Sequence, residues 1–216
     1  PNTRSLGGFV SKFPVSLYSD TYVHHEYIRL IANSGFSGML WSPEVRESSS
    51  ITELIHRTQT AILSAQTVFN SWYLRNPPWL QFDKEKNNKN EFLVNANQIE
   101  SKIKNLLNFR MSLVPYLYSA FYKYMREGVP PYRALVMDYP DDKNLHNIYD
   151  GYLIGDNLLA TPLFDSSDKR KVYLPKGVWY NFNTKKKYDG GQSYTIAFSH
   201  EEIPIFVKEG TILPLA

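Results

Sequence analysis

Hydrophobic and polar positions change their rhythm once along this chain, near residue 148. Upstream, short apolar runs alternate with amphipathic stretches of helical period; downstream, only short apolar runs remain, separated by turn residues. The first run, at 13–18, predicts a short buried strand. Val23, Tyr27, Ile28, Leu30 and Ile31 then lie on one face of a helix, and Asn33-Ser-Gly35 closes it with the glycine as the left-handed residue. A second strand is predicted at 36–41, with 42–47 as the loop at its carboxyl end. Ser50 and Glu53 form a capping box for a helix carrying Leu54, Ile55, Thr58, Ile62 and Leu63, which ends before Asn76-Pro-Pro-Trp79. Residues 83–91 are polar without interruption and predict an exposed loop insertion. Ile103, Leu106, Leu107, Phe109, Leu113, Leu117, Phe121 and Tyr124 predict one long helix from about 99 to 124, kinked at Pro115. Gly128-Val-Pro-Pro131 stops it, and 132–138 predicts another strand.

From Tyr149 onward, short strands are predicted at 152–154, 158–164, 172–174, 179–182, 194–197, 205–207 and 212–213. This spacing suggests an antiparallel sheet or sandwich. The expected organisation is therefore an α/β unit over 1–148 and an all-β unit over 149–216.

Composition narrows the function classes. A hydrophobic share of 43% in 216 residues is ample for a core. The net charge of +3 comes from 24 basic and 21 acidic residues scattered along the chain, and the one basic run, at 185–187, lies in a predicted turn. Nucleic acid is not an expected partner. No apolar run is long enough to span a membrane, and none of the chain's residues is cysteine, so there is no thiolate metal site. His24 and His25 are adjacent, which points them in different directions on a helix, and no metal is expected. Gly7-Gly8 and Gly190-Gly191 lack the strand-to-helix context of a phosphate loop, and no cofactor is expected. Aromatic residues make up 15% of the chain, which suits a sugar-stacking cleft or a thick core alike.

The titratable candidates in the first part are Asp20, His24, His25, Glu44, Glu47, His56 and Asp138. Asp20 and Glu44 each follow a predicted strand, and in a parallel sheet both would face one cleft at the strands' carboxyl ends. Glycoside cleavage needs two flanking carboxylates. Asp20 also fits ordinary turn chemistry. Arg4 can clamp a hydroxyl-rich or anionic ligand or make a surface ion pair. Trp41 and Trp79 can stack on sugar rings or pack in the core.

Several segments, in order, resemble the retaining α-glycosidases of glycoside hydrolase family 31. Arg4-Ser-Leu-Gly-Gly-Phe-Val-Ser-Lys-Phe-Pro14 with Ser19-Asp20 is similar to the family's R-S-G-x-A-G-S-Q-R-x-P and W-x-G-D segment. Asn33-Ser-Gly-Phe-Ser-Gly-Met-Leu-Trp-Ser-Pro-Glu44 is similar to the strand that leads to its D-I-G-G-F loop. Leu113-Val-Pro-Tyr-Leu-Tyr118, Gly128-Val-Pro130 and Arg133-Ala-Leu-Val-Met-Asp-Tyr-Pro-Asp-Asp142 resemble L-x-P-Y-L-Y, G-x-P and R-P-L-x-x-x-x-P-x-D. Gly155-Asp-Asn-Leu-Leu-Ala-Thr-Pro162 and Val172-Tyr-Leu-Pro-Lys-Gly-Val-Trp-Tyr-Asn-Phe182 resemble G-D-x-L-L-x-A-P and Y-L-P-x-G-x-W-Y-x-F. Glu202-Ile-Pro-Ile-Phe-Val-Lys-Glu-Gly-Thr-Ile-Leu-Pro214 completes the series.

The resemblance implies that 1–148 is the C-terminal part of a (β/α)8 catalytic barrel and 149–216 the antiparallel β-sandwich that follows it. It implies an α-glycoside or oligosaccharide substrate, Asp20 as general acid/base and Arg4 as a substrate-binding residue. Departures accompany it. Leu17 and Ser19 replace the tryptophan and glycine before the acid/base, Glu44-Val-Arg-Glu-Ser48 replaces D-I-G-G-F, and Asn70 stands for a sugar-binding histidine. Trp41, Glu44 and Asn70 are accordingly the further substrate-binding candidates. Nothing in the chain matches the W-x-D-M-x-E-type segment that carries the family's nucleophile. The expectation is that the upstream half of the same polypeptide supplies it. The alternative is a non-catalytic carbohydrate-binding or structural module, and a lyase or transglycosylase would use the same carboxylates.

Overall fold

A computed structural model describes residues 21–164, 167–199 and 202–216, together with the backbone pairing of Ser16–Leu17. The first part is built from two parallel strand pairs, each bridged by a helix. Strand β1 (Ser16–Leu17) leads through α1 (His24–Ser34) to β2 (Leu40–Trp41), with Ser16 opposite Leu40 and Leu17 opposite Trp41. Strand β3 (Glu44–Val45) leads through α2 (Ile51–Ile62) to β4 (Val68–Phe69), with Glu44 opposite Val68 and Val45 opposite Phe69. Parallel strands need such a crossover. As a result, the segments after β3 and β4 leave from the same end.

The helices form where the pattern places them. Helix α1 buries Tyr27, Ile28, Ile31 and Ala32. Helix α2 opens on Ser50, whose hydroxyl accepts from Glu53 N at 3.1 Å, while the Glu53 carboxylate accepts from Ser49 N at 2.7 Å. The capping box therefore closes one residue earlier than its usual form. From Leu54 to Ile62 the helix is buried on every side. Its threonines survive burial by bonding back along the helix, Thr58 to Leu54 O and Thr60 to His56 O.

Gly35 is a correction. Its φ is −58°, right-handed, and the left-handed residue is Gly38 at φ 65°, after a 3-10 turn over Gly35–Ser37. The glycine is needed for a different reason: a β-carbon there would lie 2.6 Å from the carbonyl oxygen of Tyr132. The turn also shortens the strand expected at 36–41 to Leu40–Trp41.

Residues 83–91 are a second correction. They contain a short helix, α3 (Lys84–Asn88), and Asn87 is fully buried. Its amide donates to Asn76 O at 3.0 Å and Gln81 O at 2.7 Å and accepts from Asn76 N at 2.9 Å. The polar run is thus an ordered lobe, stitched by side-chain amides that replace apolar packing.

The single long helix expected over 99–124 is two helices, α4 (Ala96–Ser112) and α5 (Val114–Glu127), meeting at Leu113. Pro115 has no N–H for the preceding turn, so it starts a new helix instead of bending the old one. Gly128, at φ 76°, caps α5 by donating to Tyr124 O. The strand expected at 132–138 is shorter, β5 (Tyr132–Ala134), followed by one helical turn, α6 (Leu135–Asp138).

The remaining strands are β6 (Tyr152–Ile154), β7 (Leu158–Ala160), β8 (Lys169–Leu174), β9 (Val178–Asn181), β10 (Lys187–Asp189), β11 (Gln192–Ala197) and β12 (Ile205–Lys208). Six strands form one antiparallel sheet in the order β10-β9-β12-β7-β6-β5. Its edge strand β5 comes from ahead of residue 148. Strands β8 and β11 pair separately, from Leu174 opposite Gln192 to Lys169 opposite Ala197. Alternation along the strands sorts the core into two layers. Tyr152, Ile154, Leu158, Ala160 and Ile205 pack with helix residues such as Ile28, Ile31, Leu117 and Tyr124. Leu153, Leu159, Trp179 and Phe206 pack with Val172, Leu174 and Ile196 of the β8–β11 pair. The sheet is therefore covered on both faces, by helices on one side and a second, smaller sheet on the other.

Candidate functional site

Arg4 and Asp20 lie outside the described residues. The chain on either side of Asp20 is anchored, however. Leu17 pairs with Trp41, and the Tyr22 hydroxyl donates to Glu47 O at 2.7 Å while accepting from Arg46 N at 3.0 Å. The first anchor is on β2 itself and the second on the segment leaving β3.

The structure brings Glu44 and Asn70 together. The register of β3 on β4 continues one step past the strands, where Asn70 N donates to Val45 O at 2.8 Å. That step sets the Asn70 amide against Glu44, with Nδ2 donating to Oε2 at 2.5 Å. Glu44 is 2% exposed, and the Arg46 guanidinium lies 3.3 Å from its other oxygen. The Asn70 carbonyl accepts from Trp72 N at 2.8 Å, so among the described residues the amide keeps one N–H and one lone pair without a partner. Trp41 is buried in the main core, and its indole nitrogen has no hydrogen-bond partner among the described residues.

Sequence reasoning missed the feature that binds this region into one piece. Four side chains stack in a column: Arg46 lies between the rings of Tyr73 and Tyr22, at 4.0 and 4.1 Å, and Arg57 lies over Tyr22 at 3.8 Å. Each cation faces a ring where little water competes, a setting in which such contacts contribute about 2 kcal/mol. Carboxylates flank the column, with Arg57 2.7 Å from Glu53 and Arg46 3.8 Å from Glu47. Burial pushes the Tyr22 hydroxyl up to about 12, against the opposing influence of Arg57, so it remains a donor to Glu47. Burial raises the Glu53 carboxyl as well, but the hydrogen bonds from Ser49 and the Arg57 charge outweigh it and hold it below the usual range. The four residues come from four separate segments, and no spacing in the sequence announces them. The excess of aromatic residues was the only signal.

Behind the column, His24 is buried with Nε2 2.8 Å from the Thr60 hydroxyl. That hydroxyl donates its own proton to His56 O, so His24 is the donor through Nε2. Burial, with Arg57 and His56 adding to it, lowers His24 to about 3, and the ring is neutral. His25 is partly exposed beside Glu26, and Asp138 is held by Arg133 through bonds of 2.7 and 2.6 Å, part of a separate cluster. Among the described residues no group of three or more His, Cys, Asp or Glu is arranged to hold a metal ion.

The arrangement presents a side-chain amide fixed by a buried carboxylate, next to a rigid cationic and aromatic column. Such a shelf can orient a polar, uncharged ligand by hydrogen bonding at its edge.

Residues 128–213 match the sequence model of the glycosyl hydrolase family 31 C-terminal domain. Alpha-glucosidase 2 of Bacillus thermoamyloliquefaciens is 38% identical over 117 residues, 54% of this chain and 15% of that protein. Isomaltosyltransferase of Sporosarcina globispora is 36% identical over 120 residues, 55% of this chain and 11% of that protein. The chain thus spans less than a sixth of the length of these curated relatives. Its fold is similar to that of the cycloalternan-forming enzyme from Listeria monocytogenes, solved in complex with pentasaccharide substrate. The TM-score is 0.77 at 22% identity, covering 93% of this chain and 20% of that one. The domain match begins just before β5 and runs past β12, the span of the antiparallel sheet, so residues 128–213 are similar to the C-terminal domain of glycosyl hydrolase family 31.

Proposed function

We propose that this chain is the C-terminal part of a retaining α-glycosidase. In this reading 1–148 contributes the last strands and helices of a (β/α)8 barrel, and 149–216 belongs to the β-sandwich that follows. Asp20 is the general acid/base, Arg4 and Asn70 line the sugar site, and Trp41 packs in the main core instead of stacking on a sugar. Glu44 serves that site by holding Asn70. The upstream half of the same polypeptide supplies the nucleophile. The observation that supports this most is the pair of parallel strand units: the segments leaving β2, β3 and β4 meet at Glu44, Asn70 and Arg46, and Asp20 falls between two anchors, one on β2 and one on the segment leaving β3.

In a double displacement the acid/base protonates the glycosidic oxygen while the nucleophile attacks the anomeric carbon. It then takes a proton from the water that releases the sugar. The same first step followed by attack of a sugar hydroxyl gives transfer instead of hydrolysis. The likeness to an isomaltosyltransferase favours that as the second reading.

The test is Asp20→Asn in the full-length polypeptide that contains this chain. Hydrolysis of an α-linked disaccharide should fall about 10²–10⁴-fold. An α-glycosyl fluoride, whose leaving group needs no proton, should lose far less. Near-normal turnover of the disaccharide by the variant overturns the assignment of Asp20, and a wild type that binds sugar without turnover supports a non-catalytic module.

A further inference from the structure

The geometry points to Trp72 as a stacking platform for a second pyranose ring of an α-linked oligosaccharide, next to the sugar held at Asn70; this rests on the reading of Glu44 and Asn70 as part of the sugar site. Trp72 is 91% exposed. A tryptophan with a partner buries 150–250 Å², so leaving its whole face in water forgoes a large stabilisation. A loose loop would account for that, but this one is tied at both ends. Trp72 N donates to the Asn70 carbonyl at 2.8 Å, and the same amide is fixed by Glu44. Its neighbour Tyr73 is stacked on Arg46 at 4.0 Å and lies 4.9 Å from the Lys84 ammonium.

The lobe behind it is equally fixed. Asn76 and Asn87 exchange amide bonds of 2.9 and 3.0 Å, and Gln81 donates to Glu91 O at 2.8 Å. Trp79 meets Phe69 edge to face at 5.4 Å beside a cavity of about 170 Å³ that Asn70 also lines. A rigid base thus carries one large, flat, solvent-facing ring, two residues from the amide proposed to bind sugar. The apolar C–H face of a pyranose covers an aromatic face while its hydroxyls stay in water, which is the ligand chemistry such a platform suits. An unanchored aliphatic patch would not select it.

The experiment measures calorimetric binding of maltotriose, isomaltotriose and glucose to the full-length polypeptide carrying Asp20→Asn, with and without Trp72→Ala or Trp72→Tyr. Trp72→Ala should weaken the preferred trisaccharide about three- to tenfold and leave glucose unchanged, and Trp72→Tyr should restore most of the loss. Equal trisaccharide affinity with and without Trp72 overturns the proposal. So does a parallel loss for glucose and trisaccharide, which marks a distorted site, or a protein that binds neither trisaccharide. Turnover by the polypeptide with native Asp20 is read separately. An enzyme that cleaves α-glycosides while its affinity ignores Trp72 refutes the platform alone, and trisaccharide binding through Trp72 without any turnover refutes the catalytic reading alone.

Discussion

Lowering the pH from 7.5 to 5 should destabilise this fold through His24. The residue opens α1 at 5% exposure, donating to Thr60, and the charges that face it are mostly positive: Arg57, His56 and His25, with Glu53 opposing. Its pKa is lowered from 6.5 to about 3. Above pH 6.5 the ring is neutral whether the chain is folded or not, and it contributes nothing to the pH dependence. Between 6.5 and 3 the unfolded chain binds a proton that the folded chain does not, so stability falls as pH falls through that window. At pH 5 the deficit is about 1.5 pH units at about 1.36 kcal/mol each, or about 2 kcal/mol. The assay is urea denaturation of the full-length polypeptide at pH 7.5 and 5.0, wild type against His24→Gln. Glutamine keeps a nitrogen donor for Thr60 and cannot titrate. At pH 7.5 the variant should be the less stable of the two, and at pH 5.0 that gap should narrow by about 2 kcal/mol. A gap that does not change with pH, or a His24 ring that titrates near 6.5 by NMR, refutes the reasoning.

Tyr22→Phe removes the hydroxyl that joins Glu47 O and Arg46 N, leaving both backbone groups unpaired, and should cost about 1–3 kcal/mol in denaturation. Because Tyr22 lies two residues after Asp20, the variant should also lower kcat more than it raises KM, and a change in KM alone would remove Tyr22 from the positioning of that loop. Gly35→Ala brings a β-carbon to 2.6 Å from Tyr132 O, a backbone atom that can yield only if α1 shifts from β5, so about 1–3 kcal/mol should be lost. An unchanged melting transition would show that this contact is not rigid.

Local signals were legible where local physics decides. The capping box at Ser50 and Glu53, the apolar face of α1 and most of the strands of the second part follow from spacing that burial enforces, whereas 212–213 forms no strand and the one expected at 158–164 stops at Ala160. Pro115 was legible as a disturbance, but whether it bends a helix or starts a new one depends on how Leu113 packs in the core. Strand β10 was missed because Lys187 and Asp189 face water and Tyr188 alone carries an apolar signal. The lobe over 83–91 reads as a polar loop because its stabilising groups are amides, whose pairing is set by the fold and not by the sequence around them. Glu44 and Asn70 were each recognisable as candidates, but their contact needs the register of β3 on β4. The column of Tyr73, Arg46, Tyr22 and Arg57 joins four segments and exists only in three dimensions.

The most direct test of the central claim follows the anomer released first by the full-length polypeptide from an aryl α-glycoside, whose leaving group is not itself a reducing sugar, by proton NMR within the first minutes of reaction. A retaining double displacement predicts the α-anomer, with the β-anomer growing in only at the rate of mutarotation. Initial release of the β-anomer would contradict it.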